Sequence, residues 1–383
     1  MLVRITNTPR SYEWGVPGGI SDLLGWEPTA HKEAELWLGD HILSPSRFVD
    51  GDGADLHAWA AENAPLSYLF KVLAAAVPLS IQAHPDPQRA RAGFADEEQR
   101  GVPVDARHRN YKDPHAKPEM ILALEDGFEA LCGIAPVAAI VGTIDRLMDA
   151  EQTDAVARDG LRLWREMVAE GRLDEAFRWA LSDDSAARAA AASLTRAGMQ
   201  DAESFPLLAT IGRHFPDDAG LLVASMMNHL TLRAGEALWV AAGVLHAYQA
   251  GRAVEIMGPS DNVLRGGLTP KHIDVAELSA VVDLTPGEPP RLLPVAVGPH
   301  VNLYRPPAPL DEVGFELAEV TGDAELSLDG PAIALCLQGR FDASSEGDSL
   351  PLESGQIAFA TDSVLRLRGE GRMFVALTRG AAR

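Results

Sequence analysis

The sequence predicts a mainly β protein with an α-helical insertion, and three observations carry that prediction. Short apolar or alternating runs bounded by Gly, Pro and Asp fill the chain from Met1 to about Pro136. From about Val137 to Ser225 the composition shifts to Ala, Leu, Arg and Glu at i, i+3, i+4 spacing. Beyond Ser225 the strand pattern returns and continues to the end. The implied organisation is a β core from residues 1–136 and 226–284, a helical insertion over 137–225, and a second β unit over 285–383.

Each element has its own local reason. The runs AELWLGD (34–40), LSYLFKVL (66–73), VPLSIQAH (77–84), EMILALE (119–125) and FEALCGI (128–134) read as strands. Residues 87–99 read as an exposed helix inside a long connection, and connections of that length in a compact domain are usually functional. Within the insertion about five helices are expected, with starts at Asp183–Asp184 and at Pro216. Strands resume at 230–251 and 253–258, and a helix is expected near Thr269, with Thr269 as N-cap and Pro270 in its first position. After 284–290 a tail of alternating segments is spaced as in a sandwich or barrel. A weak repeat aligns Gly235 with Gly355 and sets Arg366 opposite His246, suggesting two related jelly rolls of which only the first keeps a histidine.

Composition narrows the function. A chain of 383 residues is long enough for two or three domains. Its net charge of −22 makes nucleic acid and anionic membrane surfaces poor partners, so an anionic substrate would need a local cluster of cations. Residues 1–15 lack a basic start followed by an apolar run, and the most apolar window, 130–144, is short and broken by Gly and Pro. Only Cys132 and Cys336 are present, which argues against a disulfide framework or a cysteine-rich metal site. A cytoplasmic protein is expected, and a monomer.

The chemistry-bearing residues come in small groups. Gln82 and His84 are two apart on a strand, so they project on one face about 7 Å apart. Pro85 then removes a ladder donor and keeps His84 out of the helical region, placing it at a strand end. Lys117 and Glu119 share a face in the same way. Taken alone, the first pair is an ordinary hydrogen-bonded pair and the second a solvated ion pair. The spacing Gly235-x7-Gly243-x2-His246 resembles the second motif of the cupin superfamily, whose histidine binds metal. Ala241 stands where that motif usually has proline. In the stretch 253–275 a carboxylate, Glu255, is followed by a Gly-rich loop with Arg265 and then Lys271, a composition suited to phosphate. Together Gln82, His84, Glu119 and His246 form an N/O set that suits Zn²⁺ or another divalent first-row ion, with a place left for water or substrate.

The motifs SYEWG (11–15), AELWLGDH (34–41), SIQAHPD (80–86), NYKDPHAKPEM (110–120), LHAY (245–248) and SDNVLRGGLTPKHIDV (260–275) occur in an order that resembles the type I phosphomannose isomerases. The resemblance spans roughly residues 10–275, and the last hundred residues match in character only. It implies a cupin-type jelly-roll catalytic core, a helical domain and a second C-terminal jelly roll. It implies one zinc ion at Gln82, His84, Glu119 and His246. It further implies a pocket for a sugar phosphate that includes Trp14, Ser80, Tyr248, Asn262 and Lys271, with Lys117, Glu255, Asp261 and Arg265 in catalytic roles. The departure is at Ala116: the family reads HKPE where this chain reads HAKPE, with His115 one position earlier. Ring opening then falls to His115 or to another group such as Asp261.

The reaction so implied interconverts mannose 6-phosphate and fructose 6-phosphate through an enediol. It needs cations for the phosphate, an acid/base beside C1 and C2, and stabilisation of a developing oxyanion. Arg265 and Lys271 suit the first and last needs, and Glu255 and Lys117 are the candidates for moving the proton. A metal-binding cupin of other activity would account for the histidines but not for Arg265 and Lys271. A non-catalytic sugar-binding cupin would not need all four ligands.

Overall fold

Twelve consecutive residues, His246–Met257, form the strand around which the first sheet is organised. Residues 246–250 pair with Phe128–Ile134, and His246 also pairs with Gln82 on the short strand Ile81–Ala83. Residues 251–257 instead pair with Leu69–Ala75 on one side and Glu119–Ala123 on the other. The changeover is at Gly251, where φ is +110° and a Cβ would stand 2.9 Å from the Cα of Phe128. A register shift between Tyr248 and Ala250 accompanies it. One strand thus turns a corner and joins both sides of a ten-stranded sheet. The structure, a computed structural model, describes all residues except 51–52, 152–153, 310–311 and 381–383.

The expected class holds: a sheet-rich chain with a cupin-type core and a helical insertion. Among the described residues the insertion has six helices from Val137–Ala150 to Gly220–Met226, one more than anticipated. Asp184 caps Ser185–Gln200 by accepting from the N–H of Ala186 at 2.7 Å, as its position suggested. The start expected at Pro216 is displaced to Gly220, because Asp217 adopts φ +60° and Asp218 turns its carboxylate onto the N–H groups of Gly220 and Leu268. Trp164, Phe177, Leu194 and Leu221 pack with Ile81, Ala83, Leu131 and Leu264 of the sheet. The insertion therefore backs the strand that carries Gln82.

The helix expected at Thr269 begins later, at Val275, with Asp274 as its N-cap accepting from the N–H of Glu277 at 2.9 Å. Leu268 has φ +56°, and the Thr269 hydroxyl accepts from the N–H of Lys271 in a local turn. Lys271 is therefore in a loop and not at a helix N-terminus.

A second ten-stranded sheet holds the C-terminal segments, and it also takes in the N-terminal strand Leu2–Thr6, which pairs with Ile357–Ala360. The boundary drawn at 285 thus does not divide the two sheets, because residues 2–6 cross it. Gly235 and Gly355, aligned by the weak repeat, have φ of +84° and +80° and precede the four-residue strands Ala237–Val240 and Ile357–Ala360. Leu36, Phe70, Val254 and Ile256 of the first sheet pack against Phe315, Leu335, Phe359 and Phe374 of the second. Strand Leu69–Ala75 is buried along its whole length because its other face lines the interior of the first sheet.

The helix Pro87–Gln99 leads into a strap, residues 100–118, that crosses the site. Arg109 fixes the strap's course. Its buried guanidinium donates to the carbonyl of Tyr111 at 2.7 Å and to Glu98 at 2.6 Å. The buried Glu97 carboxylate, 3.4 Å from Arg109, accepts from the N–H groups of Asn110 and Tyr111. Arg109→Ala leaves Glu97 buried without its counter-charge, and should lower unfolding stability by about 3 kcal/mol. Urea denaturation checks this, and a loss within about 0.5 kcal/mol, the size of an ordinary surface change, would contradict it.

Candidate active site

His84 follows the strand Ile81–Ala83 directly, and its carbonyl accepts from the N–H of Gly243 at 2.8 Å. That contact seats the second motif against the first. Gly243 has φ +79°, and a Cβ there would meet the carbonyl oxygen of Val281 at 2.8 Å, so the motif's glycine is required twice over. His246 then opens its strand directly opposite Gln82.

Both histidines are fully buried, and each has Nδ1 against a backbone carbonyl: Asn262 for His84 at 2.7 Å, Val244 for His246 at 3.0 Å. Carbonyls only accept, so Nδ1 carries the proton and Nε2 presents a lone pair. The two Nε2 atoms lie 3.1 and 3.2 Å from the carboxylate oxygens of Glu119. Nε2 of both rings and Oε2 of Glu119 are buried without a hydrogen-bond partner. Three acceptors turned on one another at this range are stable only with a cation between them, and their ligand atoms all lie within 4.8 Å of each other. The donor set fits a divalent ion, with Gln82 adjacent. Burial pushes the His84 imidazolium down to about 4, against the pull of Glu119, which keeps the ring a neutral ligand. Burial acts to raise the Glu119 carboxyl, but Lys117 and His84 hold it well below the usual carboxylate range.

Lys117 is no solvated partner. It is buried, with Nζ 3.2 Å from Oε1 of Glu119. A second buried group faces it across the same cluster. Trp37, Lys71 and Glu255 are cross-strand neighbours on three adjacent strands. Nζ of Lys71 lies 3.3 Å from Glu255, 3.5 Å from Glu35 and 5.1 Å from the centroid of the Trp37 ring. Burial raises the Glu255 carboxyl despite Lys71, and Glu119 adds to the rise. The Tyr248 hydroxyl is buried near Glu255, and burial first, then the Glu255 charge, push its phenol well above its ordinary value. Trp14 packs half-buried beside Tyr248, and Ser80 is half-buried just before the Gln82 strand.

Among the described residues, Arg265 and Lys271 have no carboxylate within ion-pair distance, in a chain of net charge −22. Burial lowers both below their ordinary values, and Arg265 also repels Lys271 and Lys112. This is the local cationic cluster that the overall charge demanded. Asn262 is fully buried. Its amide donates to the carbonyls of Asp113 and His115 at 2.8 Å each and accepts from the N–H of Lys112 at 2.7 Å. With both ends engaged, the Asn262 amide braces the strap, while its carbonyl orients His84. Asp261 is at the mouth beside His41, and His115 is exposed.

Sequence reasoning did not single out Lys71, Glu35, His41 or Lys112. A lone lysine inside the apolar run LSYLFKVL was a usable signal for the first. Glu35 and His41 flank Trp37 in AELWLGDH, but nothing in their spacing marks them.

Comparison with known proteins gives a consistent result. Residues 2–137 match the model for the type I phosphomannose isomerase catalytic domain. The mannose-6-phosphate isomerase of Escherichia coli is 33% identical over 395 residues, 97% of this chain and 98% of that one. The human mannose-6-phosphate isomerase is 30% identical, covering 93% of this chain and 92% of its own. A crystal structure of mannose 6-phosphate isomerase from Salmonella typhimurium, bound to its substrate fructose 6-phosphate and to zinc, superposes with a TM-score of 0.86. It is 31% identical and covers 99% of this chain and 100% of that one.

Asn262 links the strap to a histidine at the centre of the buried cluster. Asn262→Ala removes the strap's anchors and loosens the carbonyl that orients His84. Metal affinity should fall roughly tenfold or more, read by competition with a chromogenic chelator. An unchanged affinity would show that the brace does not govern the site.

Proposed function

This chain belongs to the type I phosphomannose isomerase family, and from that premise we propose how its residues divide the work. It is a mannose-6-phosphate isomerase that interconverts mannose 6-phosphate and fructose 6-phosphate, and its metal is zinc. The observation that carries the reading is the buried cluster of His84, Glu119 and His246, whose acceptors face one another with Lys117 and Glu255 on its flanks. Gln82, His84, Glu119 and His246 would hold one zinc ion, which when bound would supply Lewis-acid polarisation to substrate oxygens or organise the site around them.

The chain's own groups do the rest. Arg265 and Lys271, with no carboxylate in ion-pair distance among the described residues, bind phosphate or steady the enediolate. Lys117 and Glu255 move the proton from C2 to C1. One removes it from C2 as the C1–C2 double bond forms and the carbonyl electron pair moves onto O1; the proton of the C2 hydroxyl passes to O1, and a proton is returned at C1 as C2=O2 forms. Burial raises the Glu255 carboxyl from its ordinary value, which suits it to that task. Lys71 holds Glu255 in place. Trp14, Ser80 and Tyr248 line the sugar, and the strap keeps water out.

We also propose that residues 1–136 with 226–284 act as the catalytic domain, with strands 2–6 and 47–48 lent to the second sheet and 291–292 to the first. Residues 137–225 are its insertion and 285–383 a second jelly roll. The chain works as a monomer in the cytoplasm without a nucleic-acid partner, as its charge of −22 favours. Among the described residues no helix is long and apolar enough to cross a membrane.

A coupled assay from mannose 6-phosphate to fructose 6-phosphate should show turnover that a chelator abolishes and added zinc restores. No turnover in metal-replete protein would overturn the reading. Glu255→Gln and Lys117→Ala should each keep their zinc, by elemental analysis, yet lose about 100-fold or more in kcat. Near-native kcat in either would remove that residue from proton transfer.

A further inference from the structure

The helix Pro87–Gln99 and the loop that carries Arg265 and Lys271 are far apart in the chain, and the steps above leave the helix idle. The structure ties them together at one carboxylate. Glu277 lies on the helix Val275–Val281 that follows the loop. It receives two donors of the Arg89 guanidinium, Nε on Oε1 at 2.7 Å and Nη2 on Oε2 at 2.5 Å. The Tyr111 hydroxyl, from the strap, donates to Oε1 of the same carboxylate. Exposed ion pairs contribute little, but a bidentate guanidinium–carboxylate pair that also takes a phenol is fixed in geometry.

Two further features belong to the same tie. Gly93 stands in the middle of the helix Pro87–Gln99, where glycine is a poor helix former. A Cβ there would lie 2.2 Å from the Tyr111 ring, so the glycine is what lets that ring rest on the helix with its hydroxyl at Glu277. Asp274 caps the helix Val275–Val281 with one oxygen and accepts from Nδ2 of Asn110, on the strap, with the other at 2.9 Å. The helix after the loop is thus held at its first turn from two neighbouring strap residues and from Arg89.

The loop needs such a hold. Its first end is secured where Arg265 pairs with Gln82, and its middle where the N–H of Leu268 donates to Asp218 at 2.9 Å. Lys271 lies beyond both, between the turn at Thr269 and the capped start of the helix. Arg265 and Lys271 carry like charge and repel each other, so a loop tied at one end would let them separate. Leu278, next to Glu277, is fully buried in one cluster with Leu264 and Leu268 of the loop, so the hold on the helix reaches the loop directly. We propose, resting on the phosphate role of Arg265 and Lys271 given above, that Glu277 is a positioning residue for the substrate's phosphate, held in place by Arg89 and Tyr111. The clamp keeps the two cations at the separation a phosphate dianion bridges, so binding does not have to gather them. It acts on binding and not on proton transfer, since Glu119 and Glu255 stand on other strands.

Steady-state kinetics on the zinc-loaded protein test this, with inorganic phosphate as the competing anion. Arg89→Met keeps the length of the side chain and removes its charge and its donors. It should raise KM for mannose 6-phosphate and Ki for phosphate together, about tenfold each, the weight of a hydrogen bond to a charged group. Its kcat should stay within about twofold of native, as for a loss of binding alone, and its zinc content should be unchanged. Arg100→Met removes an exposed pair with Asp96 from the same helix and should change neither constant. Three results would overturn the clamp while the native enzyme still turns over and is still inhibited by phosphate: native constants in Arg89→Met, an equal rise in Arg100→Met, or a kcat that falls as far as KM rises. A native protein that neither turns over mannose 6-phosphate nor responds to phosphate would overturn the functional reading itself.

Discussion

The site depends on one interaction that would be unfavourable in its own terms: a buried carboxylate facing two nitrogen lone pairs. Glu119 turns its oxygens toward Nε2 of His84 and of His246 at 3.1 and 3.2 Å, with none of the three groups open to water. Acceptors in a dry interior do not gather without a cation, so the arrangement is pre-built for an ion and held by its surroundings. Two backbone carbonyls fix the tautomers, Gly243 locks the two motifs together, and Lys117 steadies the carboxylate. The remaining polar groups follow from this constraint. A carboxylate cluster this deep needs cations nearby, and Lys117 supplies one to Glu119 and Lys71 one to Glu35 and Glu255.

Much of this was legible in the sequence because the informative spacings are short. Gln82 and His84 share a face through the period of two, and Pro85 does end the strand. The exposed helix at 87–99, the Asp184 cap and the helical insertion all follow from local pattern, and the structure has them where expected. The cationic pair Arg265 and Lys271 answered a requirement set by net charge alone. Even the weak repeat has a physical counterpart, in two glycines of matching φ ahead of two short strands.

The remainder was hidden for definite reasons. Thr269-Pro270 carries every local sign of a helix start, yet Leu268 in the left-handed region sends the chain into a turn, and Asp274 caps better. Asn262 lies in a loop rich in binding residues, but its partners are backbone groups about 150 residues away. No single-sequence pattern reports a contact of that range. Lys71 and His41 were missed likewise, since their roles come from neighbouring strands. Local chemistry pointed to His84, Glu119 and His246, which the fold brings together, while tertiary contact decided which polar residues they meet.

The N-terminal strand carries a further consequence, for the order in which the chain assembles. Leu2–Thr6 pairs with Ile357–Ala360, and the terminal amine pairs with Asp362. Residues 2–6 must therefore wait for residues 357–360, synthesised some 350 residues later. Until residues 357–360 emerge, the strand has no main-chain partner on that edge, and the apolar faces of Leu36, Phe70 and Val254 lack the second sheet that covers them. The closing step joins chain segments some 350 residues apart, which makes it slow by its loop entropy alone. A growing chain thus holds a nearly complete metal pocket on an unfinished scaffold, and what ends that exposed interval is the arrival of the last strands.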